Sequence, residues 1–303
     1  MKGQKSEFVL FEFLETVQAV FASLDLVEPK PCADGALHRC ATVHRPNKKN
    51  GAYIVRTIPF PWVWARNWET LSDAVACGAG CGKALRERAC ARVQQSRESL
   101  RRRVADKAKY LWNTVFSWAD ETNPYLVKKG IPGIGVKETR DGTLVVPVYD
   151  DQELVSMQFI SASAGKRFLK GGKIQSCFFP LPARDRSVLC IAEGYATGVS
   201  IHVATGYGVL CAFGCGNLIH VAKSAKRRFP EATLCLCADY DSPSRIYPHV
   251  GGIGFAKARE AALAVRGYVA YPFEGCRTGD FNDLHKEYGL ESVRRALARR
   301  FLV

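Results

Sequence analysis

The chain has 303 residues, and its 43 lysines and arginines outnumber its 29 aspartates and glutamates, which gives a formal charge of +14. Such an excess favours a polyanionic partner, nucleic acid or nucleotides, over a membrane surface. No run of 18 apolar residues occurs, and the N-terminus lacks the charged start and apolar core of an export signal. We therefore expect a cytoplasmic protein without a membrane partner, long enough for one large core or two moderate ones.

Residues 1–82 are predicted to form a small α+β module at the N-terminus. Apolar residues recur at helical spacing from Glu7 to Leu24. Short stretches at 37–40 and 52–56 are predicted strands that flank a basic turn. Three tryptophans follow between Phe60 and Trp68.

Twelve cysteines are many for a chain that is expected in a reducing compartment. Several lie in apolar runs, where a thiol packs as a small apolar group. A second set near the N-terminus raises the question of zinc: Cys32, His38, Cys40, Cys77, Cys81 and Cys90. Because this set lacks the Cys-x-x-Cys pairs typical of structural zinc sites, we expect free thiols and no zinc.

Residues 83–122 are predicted to form a basic helical linker that includes the run Arg101, Arg102 and Arg103. Two interpretations stay open for its cations, a solvated helix face or a tract that follows a phosphate backbone. The apolar run from Tyr110 to Trp118 is interpreted as the end that packs this helix on a core. A stacking platform for bases is the alternative.

The domain predicted over residues 123–303 begins with two strands, 143–149 and 154–161, joined by an acidic turn in the manner of a hairpin. A basic block follows at 166–173, where four cations surround one aromatic residue and two glycines. Its candidate binding residues are Lys166, Arg167 and Lys170. The block suits a triphosphate or a primer–template backbone, and a solvated basic turn is the alternative.

Three acids end two of the apolar runs that come next. The run from Val188 stops at Glu193, and the run from Thr233 stops at Asp239 and Asp241. Predicted strands alternate here with helices, which indicates an α/β fold with a parallel sheet flanked by helices. Ligands bind at the carboxyl ends of parallel strands, so the three carboxylates are expected to converge there. Mg²⁺, or Mn²⁺, is the cation that such oxygen ligands favour.

Two later stretches hold further candidates. Lys257 lies near the start of a predicted helix, 251–265, where it would either reach a phosphate or remain a surface lysine. The sequence Asp-Phe-Asn-Asp-Leu begins at Asp280, and two roles stay open for its acids. Asp280 or Asp283 would join the metal ligands, or Asp280 would cap the last helix, which is predicted over 290–302.

These motifs carry a resemblance to a known family. Glu193-Gly-Tyr-Ala-Thr-Gly198, Asp239-Tyr-Asp241 and Asp280-Phe-Asn-Asp-Leu284 are similar to the motifs of Toprim domains. Together with the block Lys166-Arg-Phe-Leu-Lys-Gly-Gly172, they most resemble the primases of conjugative plasmids and satellite phages. The resemblance is clear over 123–295 and fainter over 35–70.

The resemblance implies a DNA primase, a nucleotidyltransferase that makes short RNA primers on single-stranded DNA in plasmid or phage replication. Asp239 and Asp241 would hold Mg²⁺, with Asp280 as a further ligand, and Glu193 would complete the metal shell or assist proton transfer. Lys166, Arg167, Lys170 and Lys257 would bind the triphosphate or the template.

The implied partners are single-stranded DNA, ribonucleotides and a replicative helicase or relaxase, in a bacterial or phage-infected cell. Two alternatives stay open, a Toprim nuclease and a non-catalytic nucleic-acid-binding accessory protein of replication.

Overall fold

The computed structural model describes residues 3–28, 30–57, 61–70, 72–78, 83–163, 165–183, 185–242, 251–273 and 277–302. The chain divides into two compact units, Met1–Glu98 and Ser99–Val303. The predicted division into three segments, with boundaries at residues 82 and 122, stays a prediction. Within the described part of the chain, every helix is too short or too polar to cross a lipid bilayer.

The first unit packs a helix on an antiparallel sheet. Its elements are α1 (Gly3–Ser23), β1 (Leu26–Val27), β2 (His38–Thr42), β3 (Gly51–Arg56), β4 (Trp62–Asn67) and β5 (Ser72–Cys77). The five strands pair in sequence order. Buried Val17 and Phe21 of α1 belong to one apolar cluster with Tyr53 and Val63 of the sheet. The predicted first helix and the two predicted strands are confirmed as α1, β2 and β3, and β2 pairs with β3.

Helix α2 (Lys83–Thr114) is a single helix of 32 residues, followed by the short strand β6 (Ser117–Trp118). The apolar run at its end divides by exposure. Leu111, Trp112 and Phe116 pack against the core, whereas Trp118 is 66% exposed. Core packing is therefore confirmed for part of the run only.

The first sheet of the second unit is antiparallel. The elements after β6 are α3 (Pro124–Lys129), β7 (Lys137–Glu138), β8 (Leu144–Asp150), β9 (Glu153–Ser161) and β10 (Gly165–Phe168). The strand order is β10-β9-β8-β7-β6, and the predicted hairpin is confirmed as the pair β8 and β9. The basic block begins on the edge strand β10, so its first residues lie on a strand and not in a turn.

The second sheet has six strands in the order β11-β13-β12-β14-β15-β16. Its elements are β11 (Phe179–Leu181), β12 (Asp185–Ala192), α4 (Tyr195–Thr205), β13 (Tyr207–Cys211), α5 (Cys215–Arg228), β14 (Thr233–Cys237), α6 (Gly252–Val265), β15 (Tyr268–Ala270), α7 (Phe281–Ala298) and β16 (Phe301–Leu302). The central strands β13, β12, β14 and β15 are parallel, and the two edge strands pair antiparallel. The fold is therefore mixed α/β, as the alternation of runs predicted.

Apolar residues on both faces explain why the central strands are nearly continuous apolar runs. One face of β12 and β14, with Cys190 and Cys235, belongs to the cluster that includes α4 and α7. The other face, with Ile191 and Leu236, packs with α5 and α6. Helices thus cover the sheet on both sides, and its strand ends remain the open edge.

The last helix was predicted to begin at Leu290, and this boundary is wrong. Helix α7 begins at Phe281, because Asp280 and Asp283 form a reciprocal capping box at its first turn. Gly289, at φ 78° and ψ 174°, interrupts the helical backbone between two helical parts. The sequence pattern therefore revealed only the second part.

A substitution at Gly198 would test how closely α4 packs against the sheet. A Cβ at this position would overlap the Sγ of buried Cys211. We expect Gly198→Ala to destabilise the protein by about 1–3 kcal/mol, because overpacking outweighs the ~1 kcal/mol by which a helix favours alanine. Urea denaturation measures this change. Cys211→Ala, which removes the overlapped atom, should recover part of the loss in the double variant, and an alanine variant as stable as the parent would contradict the close packing.

Candidate metal centre at the edge of the parallel sheet

The acids predicted to converge lie at the ends of two neighbouring strands. Strands β12 and β14 are parallel and in register, with Ala192 opposite Cys237. Glu193 directly follows β12, and Asp239 and Asp241 follow β14, so the strand ends carry the carboxylates to one edge of the sheet.

Burial and neighbouring charge both raise the pKa values of two of these acids. Burial, and then the charge of Asp241, raises the pKa of Glu193 to about 7. Burial raises the pKa of Asp239 well above its usual range, and the charges of Glu193, Asp280 and Asp241 add to it. The four carboxylates therefore share one electrostatic environment, in which the neutral forms of Glu193 and Asp239 are favoured unless a cation is present.

Two buried carboxylate oxygens, Glu193 Oε1 and Asp239 Oδ1, have no hydrogen-bond partner. A buried polar atom without a partner is costly, and a charged one more so. A divalent cation would satisfy both oxygens, and carboxylates are ligands that Mg²⁺ accepts. The residues present therefore fit a divalent metal ion.

The spacing of the acids limits how such an ion is held. No three of these carboxylates bring oxygens within 4.8 Å of one another, although two other groups of described residues have ligand atoms that close. Oxygens bound to one Mg²⁺ lie roughly 2.1 Å from it, so opposite ligands are about 4.2 Å apart. The arrangement thus fits two acids on one ion, or acids spread over two ions, better than three acids on one.

Backbone N–H groups at the starts of two helices hold the acids. The N–H of Cys215, the first residue of α5, donates a hydrogen bond to the Glu193 carboxylate. The N–H of Gly254 in α6 donates to Asp241 Oδ2 over 3.2 Å. Both helix N-termini carry partial positive charge, which attracts a nearby carboxylate group.

Glycines at the start of α6 lie beside the acids, and the sequence analysis did not predict that they belong to the site. A Cβ on Gly254 would lie 2.5 Å from the Asp239 carbonyl oxygen and 3.0 Å from Asp241 Oδ2. Gly251 and Gly252 have φ values of 96° and 59°, which glycine tolerates best. The available signal was Gly-Gly-x-Gly at a helix start shortly after Asp-x-Asp.

Tyr240, between the two aspartates, packs against aromatic rings and so fixes the backbone that carries both acids. Its ring stacks on Tyr271, with centroids 5.3 Å apart and planes at 20°, and meets Phe255 edge-on. The alternation of an extended segment directs this ring away from the side shared by Asp239 and Asp241. The doublet is therefore fixed by packing as well as by hydrogen bonds.

Asp280 caps α7, which was one of its two predicted roles. Its Oδ1 accepts hydrogen bonds from the N–H groups of Asn282 at 2.7 Å and Asp283 at 2.9 Å. Its charge also raises the pKa of Glu193 and Asp239, so it lies close to the centre. Its role as a metal ligand stays a prediction.

The first two cations of the basic block lie on opposite faces of β10. Lys166 Nζ lies 3.6 Å from the position that a Cβ would take on Gly194, directly beside Glu193. Arg167 lies on the opposite face of the strand, where its guanidinium carbon is 5.8 Å from the Phe159 ring centroid. The structure thus brings Lys166 to the acids and Arg167 to the other side of the sheet.

The remaining candidate cations lie in two other places. Lys257 pairs with Glu260 of its own helix at 2.8 Å. Leu100 of α2 contacts the turn at Gly171, where a Cβ would lie 3.0 Å from the leucine side chain. Lys170 on this loop is exposed, and on α2 Arg101 is half-buried whereas Arg102 and Arg103 are exposed.

Two groups of possible metal ligands that contain cysteine occur among the described residues. Cys190, Cys235 and Cys237 have Sγ atoms within 4.8 Å of one another and are buried in the sheet. Cys32, Asp34 and His38 form the second group, in which a His38 ring nitrogen and Asp34 are 2.8 Å apart. Cys81 and the side chain of Cys90 lie outside the described residues, so the expectation of no zinc stays a prediction.

Comparison with known proteins gives matches to primases. No family model matches the chain. One curated protein named DNA primase TraC, from Escherichia coli, is 34% identical over 160 residues, which cover 50% of this chain and 11% of that protein. A second of the same name and organism is 28% identical over 277 residues, covering 86% and 26%. The chain therefore spans about a quarter or less of the length of these relatives.

Solved structures give weaker similarities. The DnaG primase catalytic domain bound to single-stranded DNA aligns with a TM-score of 0.46 and 12% identity, over 70% of this chain and 81% of that one. The primase fragment of the bacteriophage T7 primase-helicase protein aligns with a TM-score of 0.42 and 14% identity, over 60% and 75%.

Repulsion within the acid centre predicts an unusual response to Glu193→Gln. The pKa of Glu193 is raised in the folded protein, so the folded state holds its proton more tightly and loses stability as pH rises from about 5 to about 8. Without divalent metal at about pH 8, the glutamine variant should be about 1–3 kcal/mol more stable than the parent. At about pH 5 the difference should vanish.

Thermal denaturation in chelator at both pH values measures this effect, with the exposed Glu121→Gln as control. Added Mg²⁺ should then stabilise the parent at about pH 8 more than the Glu193→Gln variant, since the ion binds the folded acids. A glutamine variant that is less stable than the parent in chelator would show that the acids do not repel one another.

Proposed function

We propose that this chain is the catalytic part of a DNA primase of the conjugative-plasmid and satellite-phage type, which joins ribonucleotides on single-stranded DNA. The proposal rests on one observation: Glu193 and Asp239 end neighbouring parallel strands and each has a buried carboxylate oxygen without a partner. Sequence similarity to proteins named DNA primase supports the choice of substrate. We also assign the second sheet to the Toprim type, on the motifs at its strand ends.

The acids would act by binding the metal ion and by assisting proton transfer. Asp239 and Asp241 would bind one Mg²⁺, and Asp280 would be a further ligand, to a second ion. Mn²⁺ would suit the same oxygens. When bound, the metal supplies activation of the attacking 3′-hydroxyl and stabilisation of the charge on the α-phosphate and leaving pyrophosphate. Glu193, with its pKa of about 7, would complete the metal shell or hold the proton of the hydroxyl.

The cations would bind the anionic substrates at separate surfaces. Lys166, beside Glu193, would contact the triphosphate. Lys170 and the helix residues Arg101, Arg102 and Arg103 would follow the phosphate backbone of the template. Arg167 and Lys257 belong to the proposal as further backbone contacts outside the acid centre.

A helicase or relaxase as partner, a setting in plasmid or phage replication, and a cytoplasmic location stay predictions. The accessory alternative is less well supported, because buried carboxylates at such a centre would lower stability without serving catalysis. The nuclease alternative uses the same acids and differs in product.

Asp239→Asn tests the chemistry directly. The amide keeps the shape of the carboxylate but holds a cation poorly, so activity should fall by about a hundredfold or more. DNA binding should stay near the parent value, and stability should not fall, because a repelled charge is removed. Activity is measured as short labelled RNA made from ribonucleotides on single-stranded DNA with Mg²⁺, with Glu121→Gln as control.

The same assay separates the other functions. A shortened template would favour the nuclease, and binding without product would favour the accessory protein. An Asp239→Asn variant with full activity would show that the centre is not where the reaction occurs.

The arginine run is tested by the salt dependence of binding. Replacing Arg101, Arg102 and Arg103 with glutamine should reduce the slope of log affinity against log salt by about two, at roughly 0.7 per contact with single-stranded DNA. The matched control replaces Lys223, Lys226 and Arg227 of α5, which removes the same charge from another helix. If both triple variants change the slope equally, net charge and not contact explains the effect.

A further inference from the structure

Lys166, the cation near the acids, lies at an exposed position of strand β10. Lys166 lies opposite Ile160 and Phe168 opposite Gln158 on β9, so alternation along the strand puts Lys166 and Phe168 on the same face. Ile160 on this face belongs to the cluster that includes the parallel sheet. Within the described strands, β10 is at the edge and pairs only with β9. Among the described strands, β10 therefore has a neighbouring strand on one side only.

A pair of aromatic rings supplies contact between β10 and the second sheet. Phe168 packs edge-to-face on Phe213, with ring centroids 5.8 Å apart and planes at 86°. This geometry is favourable for aromatic pairs, because the positive edge of one ring meets the negative face of the other. The contact joins the strand of Lys166 to the turn between β13 and α5.

The backbone of Phe213 is strained. Its φ of 68° lies in the left-handed region, which a bulky residue rarely adopts. Residues in such conformations persist where their surroundings require them, and they are concentrated at functional sites. Two residues later, the N–H of Cys215 donates to Glu193. One short turn thus contacts both Glu193 and the strand that carries Lys166.

We propose that Phe213 is a positioning residue which, through Phe168, holds the Lys166 ammonium beside the acid centre so that both engage one nucleoside triphosphate. This inference rests on the proposed function, whose substrate is a ribonucleoside triphosphate. The lysine offers a charge-assisted hydrogen bond to the polyphosphate, while the acids hold the cation that the polyphosphate shares. Without the ring of Phe213, the edge strand loses its support and Lys166 loses its fixed position.

Phe213→Gly removes the ring and suits the backbone, because glycine accepts a φ of 68° without strain. We expect it to be at least as stable as Phe213→Ala and to bind a fluorescent ribonucleoside triphosphate with Mg²⁺ about tenfold more weakly, the loss of one charge-assisted bond. KM for the nucleotide should rise by the same factor while kcat changes less. Phe213→Tyr keeps the ring and should restore affinity, and Phe229→Ala serves as a control outside the turn.

A double-variant cycle with Lys166→Ala decides whether Phe213 acts through the lysine. In the Lys166→Ala background, Phe213→Gly should weaken nucleotide binding by less than about twofold. Independent, multiplying effects would overturn the proposal. A parent protein that binds no nucleotide in Mg²⁺ would overturn the proposed function as well, whereas a parent that binds and a Phe213→Gly variant that binds equally would overturn only the role of Phe213.

Discussion

Repulsion between carboxylates that are forced together is the constraint on which the rest of this site depends. Strands β12 and β14 are parallel neighbours in register, so the acids that follow them meet at one edge of the sheet. Burial and neighbouring charge raise the pKa of Glu193 and Asp239, which shows that the folded chain holds these charges at a cost in stability. A divalent cation removes that cost, and the unpartnered oxygens of both residues are where it would bind.

Several nearby groups with positive charge or partial positive charge offset part of this repulsion. The N–H groups of Cys215 and Gly254, each at a helix start, contact Glu193 and Asp241. Lys166 adds a full charge from the neighbouring sheet. None of these neutralises the centre, so it keeps a net negative potential that favours Mg²⁺ and, with the metal bound, tolerates a triphosphate.

Packing fixes the geometry that charge alone would not. The stack of Tyr240 on Tyr271 holds the aspartate doublet, and the absence of a side chain at Gly254 lets α6 approach its backbone. Phe213 and Phe168 join the turn beside Glu193 to the basic strand. Rigid contacts of this kind matter in phosphoryl transfer, where most of the catalytic effect comes from positioning and charge.

The sequence by itself determined the α/β alternation, the hairpin of β8 and β9, and the convergence of Glu193 with Asp239 and Asp241. These follow from local patterns, because short apolar runs that stop at carboxylates mark strand ends. Only the tertiary structure decided which cations face the acids. The sequence pattern predicts either a common binding site or a solvated turn for the basic block. Lys166 and Arg167 are adjacent in sequence, yet the strand places them on opposite faces. The capping role of Asp280, the approach of Gly254 and the packing of Phe168 on Phe213 likewise depend on how the fold arranges turns, helices and distant segments, which local periodicity does not encode.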